Sequence, residues 1–414
     1  MKFIERWNNL SHMWTNGILD TLPDSFTDNI SPRRFYKKII LLCKDVTADF
    51  LRLFKRTKLP DSSIWFFVLT KNNYDALKPI KKNTPDSIFV TFFRFRSTIS
   101  DDTFSFHLGL RFLYDIFYPF TWLLYTLKYP GKGLRYFDLL FTVHSSYPNC
   151  KRLLKKYKPA AIIFANDHLV IARALLLAAN DLGIKTFYVQ HASVSSYFPP
   201  LEFTHALLDG NDAFEKYKKS GPVKSIVHFV GMAKFDPYCD KTNKNTTLRT
   251  LGIAYNLVDN VEDVLEVTRI LALQNSGLKF LLRAHPGDTR PIKKIENIEI
   301  SNATKESSFH FLTRIDALVS GDSSIHLEAA MMNVYPIYFN FTKSKRFDFY
   351  GFVQNGLVEY CSDLDLLNKA IARLTKVKPN IQSRATYYNS TIGSSFYGKS
   401  TQKIVSIIQE TMAE

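Results

Sequence analysis

The residues of this 414-residue chain that could do chemistry gather in a few short stretches. Arg283-Ala284-His285-Pro286 closes one apolar run, and Ser320-Gly321-Asp322-Ser323-Ser324 lies between another and a helix-like segment from Ile325. A histidine fixed by a following proline can donate a hydrogen bond to a phosphate while the neighbouring guanidinium supplies charge. Hydroxyls and backbone N–H groups at a helix start form an anion site, although Ser and Asp there also cap orphan donors with no ligand. Glu328, one turn further on, can accept two ribose hydroxyls or simply face the helix dipole. If both stretches end parallel strands of one sheet they share an edge, and Arg283, His285, Pro286, Ser320, Asp322, Ser323, Ser324 and Glu328 then make a phosphate pocket.

A second group sits earlier. Asn166-Asp167-His168 follows the apolar run AAIIFA, and Asp209-Gly210 follows HALL. Asp167, Asp209 and His168 are the groups available to activate an acceptor hydroxyl or, for a carboxylate, to act as nucleophile. As helix caps the same aspartates would be structural. Gln190 and His191, at the next strand end, together with Lys399 offer contacts to a sugar or an acceptor. Arg173 reads as a helix-surface residue. The segment from Ser394 to Ser400 lacks the spacing of a phosphate loop. With no HExxH, and with Asp363 and Asp365 opening a helix, no metal and no cofactor beyond a donor substrate is expected.

The pairing of RAHP with GDSSIHLEAA resembles bacterial sialyltransferases, Kdo transferases and CDP-glycerol glycerophosphotransferases. In those families the two motifs bind the cytidine nucleotide of the donor. The stretch NDH followed by GIKTFYVQHASVSSYFPPLEFTHALLDG is similar to the acceptor-side half of capsule and lipopolysaccharide glycosyltransferases. These resemblances cover about half the chain and imply a GT-B fold and a metal-independent transferase. The donor would be a CMP-linked ulosonic sugar, Kdo or a sialic acid; CDP-glycerol, CDP-ribitol and UDP-sugars are the alternatives. Sialyltransferases carry an acidic-acidic-glycine motif for the base; here only Asp209-Gly210 remains, and Ala192 stands where many related sequences have glycine.

These residues need a scaffold, and the apolar patterning supplies one. Continuous apolar runs at Ile64–Leu69, Ile88–Phe93, Asp138–Val143, Ala160–Ala165, Thr186–Gln190 and His205–Leu208 read as buried strands alternating with helices, which is α/β patterning. A fresh alternation starts at Leu251, with strands ending at His285 and Ser320, another from Val334, and a helix over Val261–Gln274. The division predicts a first Rossmann-like domain over 1–240 and a nucleotide-binding one over 241–395. A last helix over 396–414 is expected to cross back onto the first domain.

The net charge of +16 favours anionic partners. No nucleic-acid-binding pattern accompanies it, which leaves phosphorylated donors and anionic lipid. Four scattered cysteines and no leader-like N-terminus point to the cytoplasm. Ser31–Lys58 reads as a basic amphipathic helix opened by Ser31 and Pro32, with Phe35, Ile39, Leu42, Val46, Phe50 and Leu53 on its apolar stripe. Leu108–Tyr129, rich in aromatics but broken by Arg111, Asp115 and Pro119, reads as a buried helical hairpin. The other reading is a segment docked on the inner membrane with Trp122 and the tyrosines at headgroup level. Together these features predict a membrane-peripheral transferase acting on a growing, lipid-linked bacterial glycan, with a silent glycan-binding module as the non-enzymatic alternative.

Overall fold

The computed structural model describes residues 2–22, 24–52, 55, 57–93, 99–100, 102–108, 111–292, 295–341 and 348–414; Leu53 of the expected stripe lies outside them. Two all-parallel sheets organise the chain. The first contains β1 (Ile64–Phe67), β2 (Ser87–Phe92), β3 (Thr103–Phe106), β4 (Ala161–Phe164), β5 (Lys185–Val189), β6 (His205–Leu208) and β7 (Ile226–Phe229). The second contains β8 (Thr250–Ala254), β9 (Lys279–Arg283), β10 (Ile298–Ser301), β11 (Ala317–Ser320), β12 (Tyr335–Phe339) and β13 (Glu359–Cys361).

Their orders are β3-β2-β1-β4-β5-β6-β7 and β10-β9-β8-β11-β12-β13. Each therefore reverses direction once, between β1 and β4 and between β8 and β11, the crevice where doubly wound sheets take ligands. Central strands such as β4, β6 and β11 are buried at every position, as expected of strands covered on both faces. The fold is GT-B: two Rossmann-like domains facing across a cleft.

Between the sheets the chain runs through a 3-10 segment, Ala233–Lys241. The last helix, Ser400–Ala413, returns to the first sheet, where Ile404, Val405 and Ile408 pack in one cluster with Phe66, Ile163 and Val189. Asp236 fixes its start, accepting from the backbone N–H groups of Ser400 and Thr401 at 3.0 and 2.7 Å.

Several sequence expectations change. Asp138–Val143 belongs to a long helix, Phe137–Tyr157, whose buried positions Leu139, Leu140, Val143, Tyr147, Cys150 and Leu154 follow helical spacing. Six apolar residues in isolation do not separate a buried helix from a strand, and the periodicity downstream decides. Ser31 does not open the basic helix, which spans Phe35–Leu51. It is buried instead, donating to Asp138 at 2.8 Å and accepting from Lys38 at 2.8 Å. Arg173 is not on a helix surface: it is wholly buried, paired with Glu202 and hydrogen-bonded to Asn9 and the Pro200 carbonyl. Asp363 caps the helix Leu364–Lys376 by accepting from Leu366 N–H at 2.9 Å.

Candidate active site

In the second sheet, β8, β9 and β11 are neighbours, so the loops that follow them meet at one edge. Arg283 ends β9, the second strand of that sheet in chain order, and Ala284-His285-Pro286 follows it. The crevice is held by backbone-directed polar contacts. Asn256 donates to the Asp322 carbonyl at 2.7 Å, crossing from the loop after β8 to the loop after β11. Arg290 grips Asp288 and donates to the carbonyls of Asp259 and Asn256 at 2.7 and 3.0 Å. Gly321 leaves no room for a side chain, since a Cβ there would lie 2.9 Å from Asp259 Oδ1. Burial pushes that Asp259 carboxyl up to about 6.

The expected donor-binding residues separate into two kinds. Ser320 donates to the Ala254 carbonyl at 2.8 Å and is fully buried, so it ties β11 to β8. Arg283 is committed to Ser301 at 2.9 Å and to the Glu306 carbonyl at 2.8 Å, under the sheet. Asp322 accepts from Phe349 N–H and Tyr338 hydroxyl at 2.8 and 3.1 Å, which anchors a neighbouring loop. All three side chains are engaged in internal hydrogen bonds that shape the crevice. A strand-end polar residue has backbone carbonyls within reach, and burial favours that partner.

His285, Pro286, Ser323 and Ser324 remain open to the crevice. His285 Nδ1 accepts from Gly287 N–H at 3.0 Å, which selects the tautomer with the proton on Nε2. Packing around the ring, with Arg283 nearby, lowers its pKa and favours the neutral, single-donor form. Neither serine hydroxyl caps the helix Ile325–Met331: Ser324 makes no cap bond, and Ser323 accepts only a long 3.4 Å contact from Ile325 N–H.

On the facing edge of the first sheet, Asp167 lies in the loop after β4. It accepts from Tyr217 and lies 3.0 Å from His168 Nδ1. A carboxylate on Nδ1 places the imidazole proton there and leaves Nε2 as an acceptor, the arrangement of a carboxylate-oriented base. Phe198 packs on the His168 ring with centroids 4.6 Å apart. Gln190 accepts from Asp209 N–H at 2.9 Å and donates to the Ala192 carbonyl at 3.0 Å, which ties the loops after β5 and β6 together. Burial, with Lys234 and His168 beside it, drives His191 down to about 4, and its Nδ1 has no partner.

Asp209 stands apart. It is 1% exposed, and neither carboxylate oxygen has a hydrogen-bond partner among the described residues. Burial pushes its pKa up to about 8, against the pull of Lys234 and with the push of Glu328. Gly210 beside it sits against the crossing chain, where a Cβ would lie 2.7 Å from the Tyr388 carbonyl oxygen. Ser390 N–H donates to the Asp209 carbonyl at 2.8 Å, locking the corner.

Lys234 escapes a reading of the sequence, because the strand before it, β7, is an edge strand with no fully buried residue and gives no continuous apolar run. The signal available is Gly231-Met232-Ala233-Lys234, a cation after a glycine that needs φ of 73° and has no space for a side chain beside Thr391. Lys234 pairs with Glu328 Oε1, while Oε2 stays buried and unpartnered. Glu328 thus has one oxygen engaged by Lys234 and the other free among the described residues. Lys399 is exposed at the start of the C-terminal helix, and no contact among the described residues joins it to Gln190 or His191. Among the described residues no group of three or more His, Cys, Asp or Glu is placed to hold a metal ion.

No protein-family model matches the chain, and no curated protein matches it by sequence. Solved structures do match. A putative UDP-N-acetylglucosamine 2-epimerase from Listeria monocytogenes is 11% identical with a TM-score of 0.54, covering 85% of this chain and 97% of its own. The wall teichoic acid polymerase TagF is 12% identical with a TM-score of 0.53, covering 91% and 97%. A UDP-GlcNAc 2-epimerase from Neisseria meningitidis, bound to UDP-GlcNAc, gives 11%, 0.51, 84% and 99%. At such identities the likeness is one of fold, and it extends over both domains.

Proposed function

We propose that this chain is a glycosyltransferase that moves a sugar from a nucleotide donor bound at the second domain to a hydroxyl acceptor bound at the first. One observation carries the reading: Asp209, a buried carboxyl with both oxygens unpartnered, ends β6 in the cleft within the field of Lys234 and Glu328. A carboxyl titrating near neutrality and free of internal partners is suited to exchange a proton with a reacting hydroxyl. His168, oriented by Asp167, is a second proton acceptor on the same edge.

His285 Nε2–H and the hydroxyls of Ser323 and Ser324 would hold the donor phosphate, with the loops after β8 and β11 shaping the nucleotide site. The donor we favour is a CMP-linked ulosonic sugar, Kdo or sialic acid, destined for a lipid-linked surface glycan such as a lipopolysaccharide, O-antigen or capsule. Two features support it: the paired RAHP and GDSS loops at one edge, and Lys234 as a cation near the reacting centre for the sugar carboxylate. A CDP-linked polyol phosphate would use the same phosphate contacts; TagF, with CDPG in one structure, shares the fold over 91% of this chain.

Thermal unfolding with CMP, CDP and UDP at matched concentrations tests this directly. A ligand at a hundred times its Kd stabilises by about 2.7 kcal/mol. Stabilisation by CMP above the others, lost in His285→Ala, is the expected result. Preference for CDP or UDP would replace the donor, and no response to any nucleotide would favour a silent glycan-binding module.

A further inference from the structure

The first domain carries a surface whose polarity is inverted. Its elements are the basic helix Phe35–Leu51 and three short helices, Arg111–Asp115, Tyr118–Lys128 and Pro130–Arg135. They adjoin one another: Phe50 packs on Phe112 with ring centroids 5.3 Å apart, Lys38 donates to the Arg135 carbonyl at 2.5 Å, and Trp122 donates to the Gly133 carbonyl at 2.9 Å.

The charges that break the apolar run are turned inward. Arg111 lies 3.2 Å from Asp49 and donates to Ser145 at 3.0 Å, Lys38 pairs with Asp138 at 2.9 Å, and all four ion-pair members are buried. Asp115 is buried beside them, and desolvation pushes its carboxyl up to about 7. The large apolar side chains point outward instead: Phe35 is 69% exposed, Phe120 65% and Leu127 74%, joined by Ile40, Ile116, Phe117, Leu123 and Leu134. Phe120, Leu123, Leu124 and Leu127 form one helical stripe, all exposed. The buried hairpin expected from the sequence is therefore not what forms, and of the aromatics assigned to a headgroup level Tyr118 and Tyr125 are buried.

We propose that this surface docks on an anionic lipid bilayer. An apolar area of this extent on a soluble face marks an interaction site, and its rim decides the partner. Of the described cations in residues 31–58, Arg33, Arg34, Lys44, Lys55 and Lys58 are exposed, whereas Asp45 is half-buried and Asp49 buried. Lys44 and Lys128 are exposed and form no salt bridge among the described residues. A second copy would bring the same cations face to face, on a chain of net charge +16. A bilayer with anionic headgroups accepts the apolar side chains below and the cations at its surface. No helix among the described residues is long and apolar enough to cross a membrane, so the contact is peripheral. The surface does not depend on which nucleotide binds the cleft, so its failure and that of the transferase reading are separable.

Flotation of the full chain with vesicles of phosphatidylcholine alone, or of phosphatidylcholine mixed with phosphatidylglycerol, provides the test. Binding to the anionic vesicles should exceed binding to neutral ones at least tenfold at about 0.1 M salt and collapse at about 0.5 M. Phe120→Ser with Leu127→Ser should reduce binding about tenfold or more, and Lys44→Glu or Lys128→Glu about fivefold or more for each site. These side chains are exposed, so unfolding temperature and nucleotide stabilisation should not move. Equal binding to both vesicle types, no binding to either, or unaltered binding of the apolar double variant overturns the proposal. So does a concentration-dependent dimer that the double variant abolishes while the parent ignores vesicles.

Discussion

Replacing Asp209 by Asn keeps shape and removes the titration. Asp209 has an ordinary value of 3.8 in the unfolded chain and about 8 in the folded one. Between those limits the folded protein holds a proton that the unfolded chain has released, so stability must fall as pH rises. The contribution is complete below about pH 4 and lost once pH passes about 8, at about 1.4 kcal/mol for each pH unit in between. The ceiling is roughly 5 kcal/mol; relaxation and water entry around the ionised carboxylate reduce it to about 2–3 kcal/mol. Asp209→Asn should escape this loss. Denaturant unfolding at a series of pH values from about 5 to 9 should show wild type falling and the variant flat by comparison, so that the variant is the more stable by about 2–3 kcal/mol at the alkaline end. Nucleotide release from whichever donor stabilises the protein should drop about 10²–10⁴-fold in the same variant, the usual size of a lost general acid–base residue. A substitution that stabilises the fold while abolishing turnover identifies a residue kept for function at the expense of stability. Parallel pH curves for the two proteins would refute the burial argument, and near-normal turnover would refute the proton-transfer role.

Gly210→Ala places a Cβ 2.7 Å from the Tyr388 carbonyl oxygen, on backbone that Ser390 and Asp212 also hold; circular dichroism and unfolding should show a loss of about 1–3 kcal/mol, and turnover should fall with it as the Asp209 corner shifts. Arg173→Met leaves Glu202, with an 11% exposed side chain, without its buried partner, and unfolding should register about 3 kcal/mol of destabilisation with nucleotide binding intact. Ser320→Ala removes only the tie to the Ala254 carbonyl, costing about 1 kcal/mol, whereas Ser323→Ala should leave stability unchanged and weaken donor binding in the same thermal assay. Lys234→Met deprives Glu328 of its cation across the cleft; a drop of about 1–2 kcal/mol at neutral pH with weaker binding of an acidic sugar donor is expected by calorimetry.

Much of the architecture is legible in the letters, because short, almost wholly apolar runs such as AAIIFA and the ALV of DALVS have no stable place except a covered parallel strand. The helix Val261–Gln274 also matches its expected limits, since Asn260 accepts from the N–H groups of Glu262 and Asp263. The edge strands β3, β10 and β13 are short and partly exposed, so their sequences carry little hydrophobic signal. For the site, sequence finds the loops but not which side chain in each loop is free. Arg283, Ser320 and Gln190 have the right types at the right edge, yet each is claimed by a partner distant in sequence. Only the three-dimensional arrangement reveals that Asp209 is left without one. The exposed apolar surface of the first domain shows the same limit: apolar residues at helical spacing indicate a face, and the direction of that face is set by Asp49 and Asp138, which draw Arg111 and Lys38 inside.

The returning C-terminal helix bears on how the protein is made. The strands of the first sheet are complete once β7 has been synthesised, yet the face of Phe66, Ile163 and Val189, partly covered by Leu77 and Ile80, lacks its second helix until Ile404, Val405 and Ile408 emerge. At typical elongation rates that interval is roughly 10–35 s. Until then the first domain lacks its last helical cover, and a stop codon shortly upstream of residue 404 would remove that cover while leaving every strand of both sheets in the sequence.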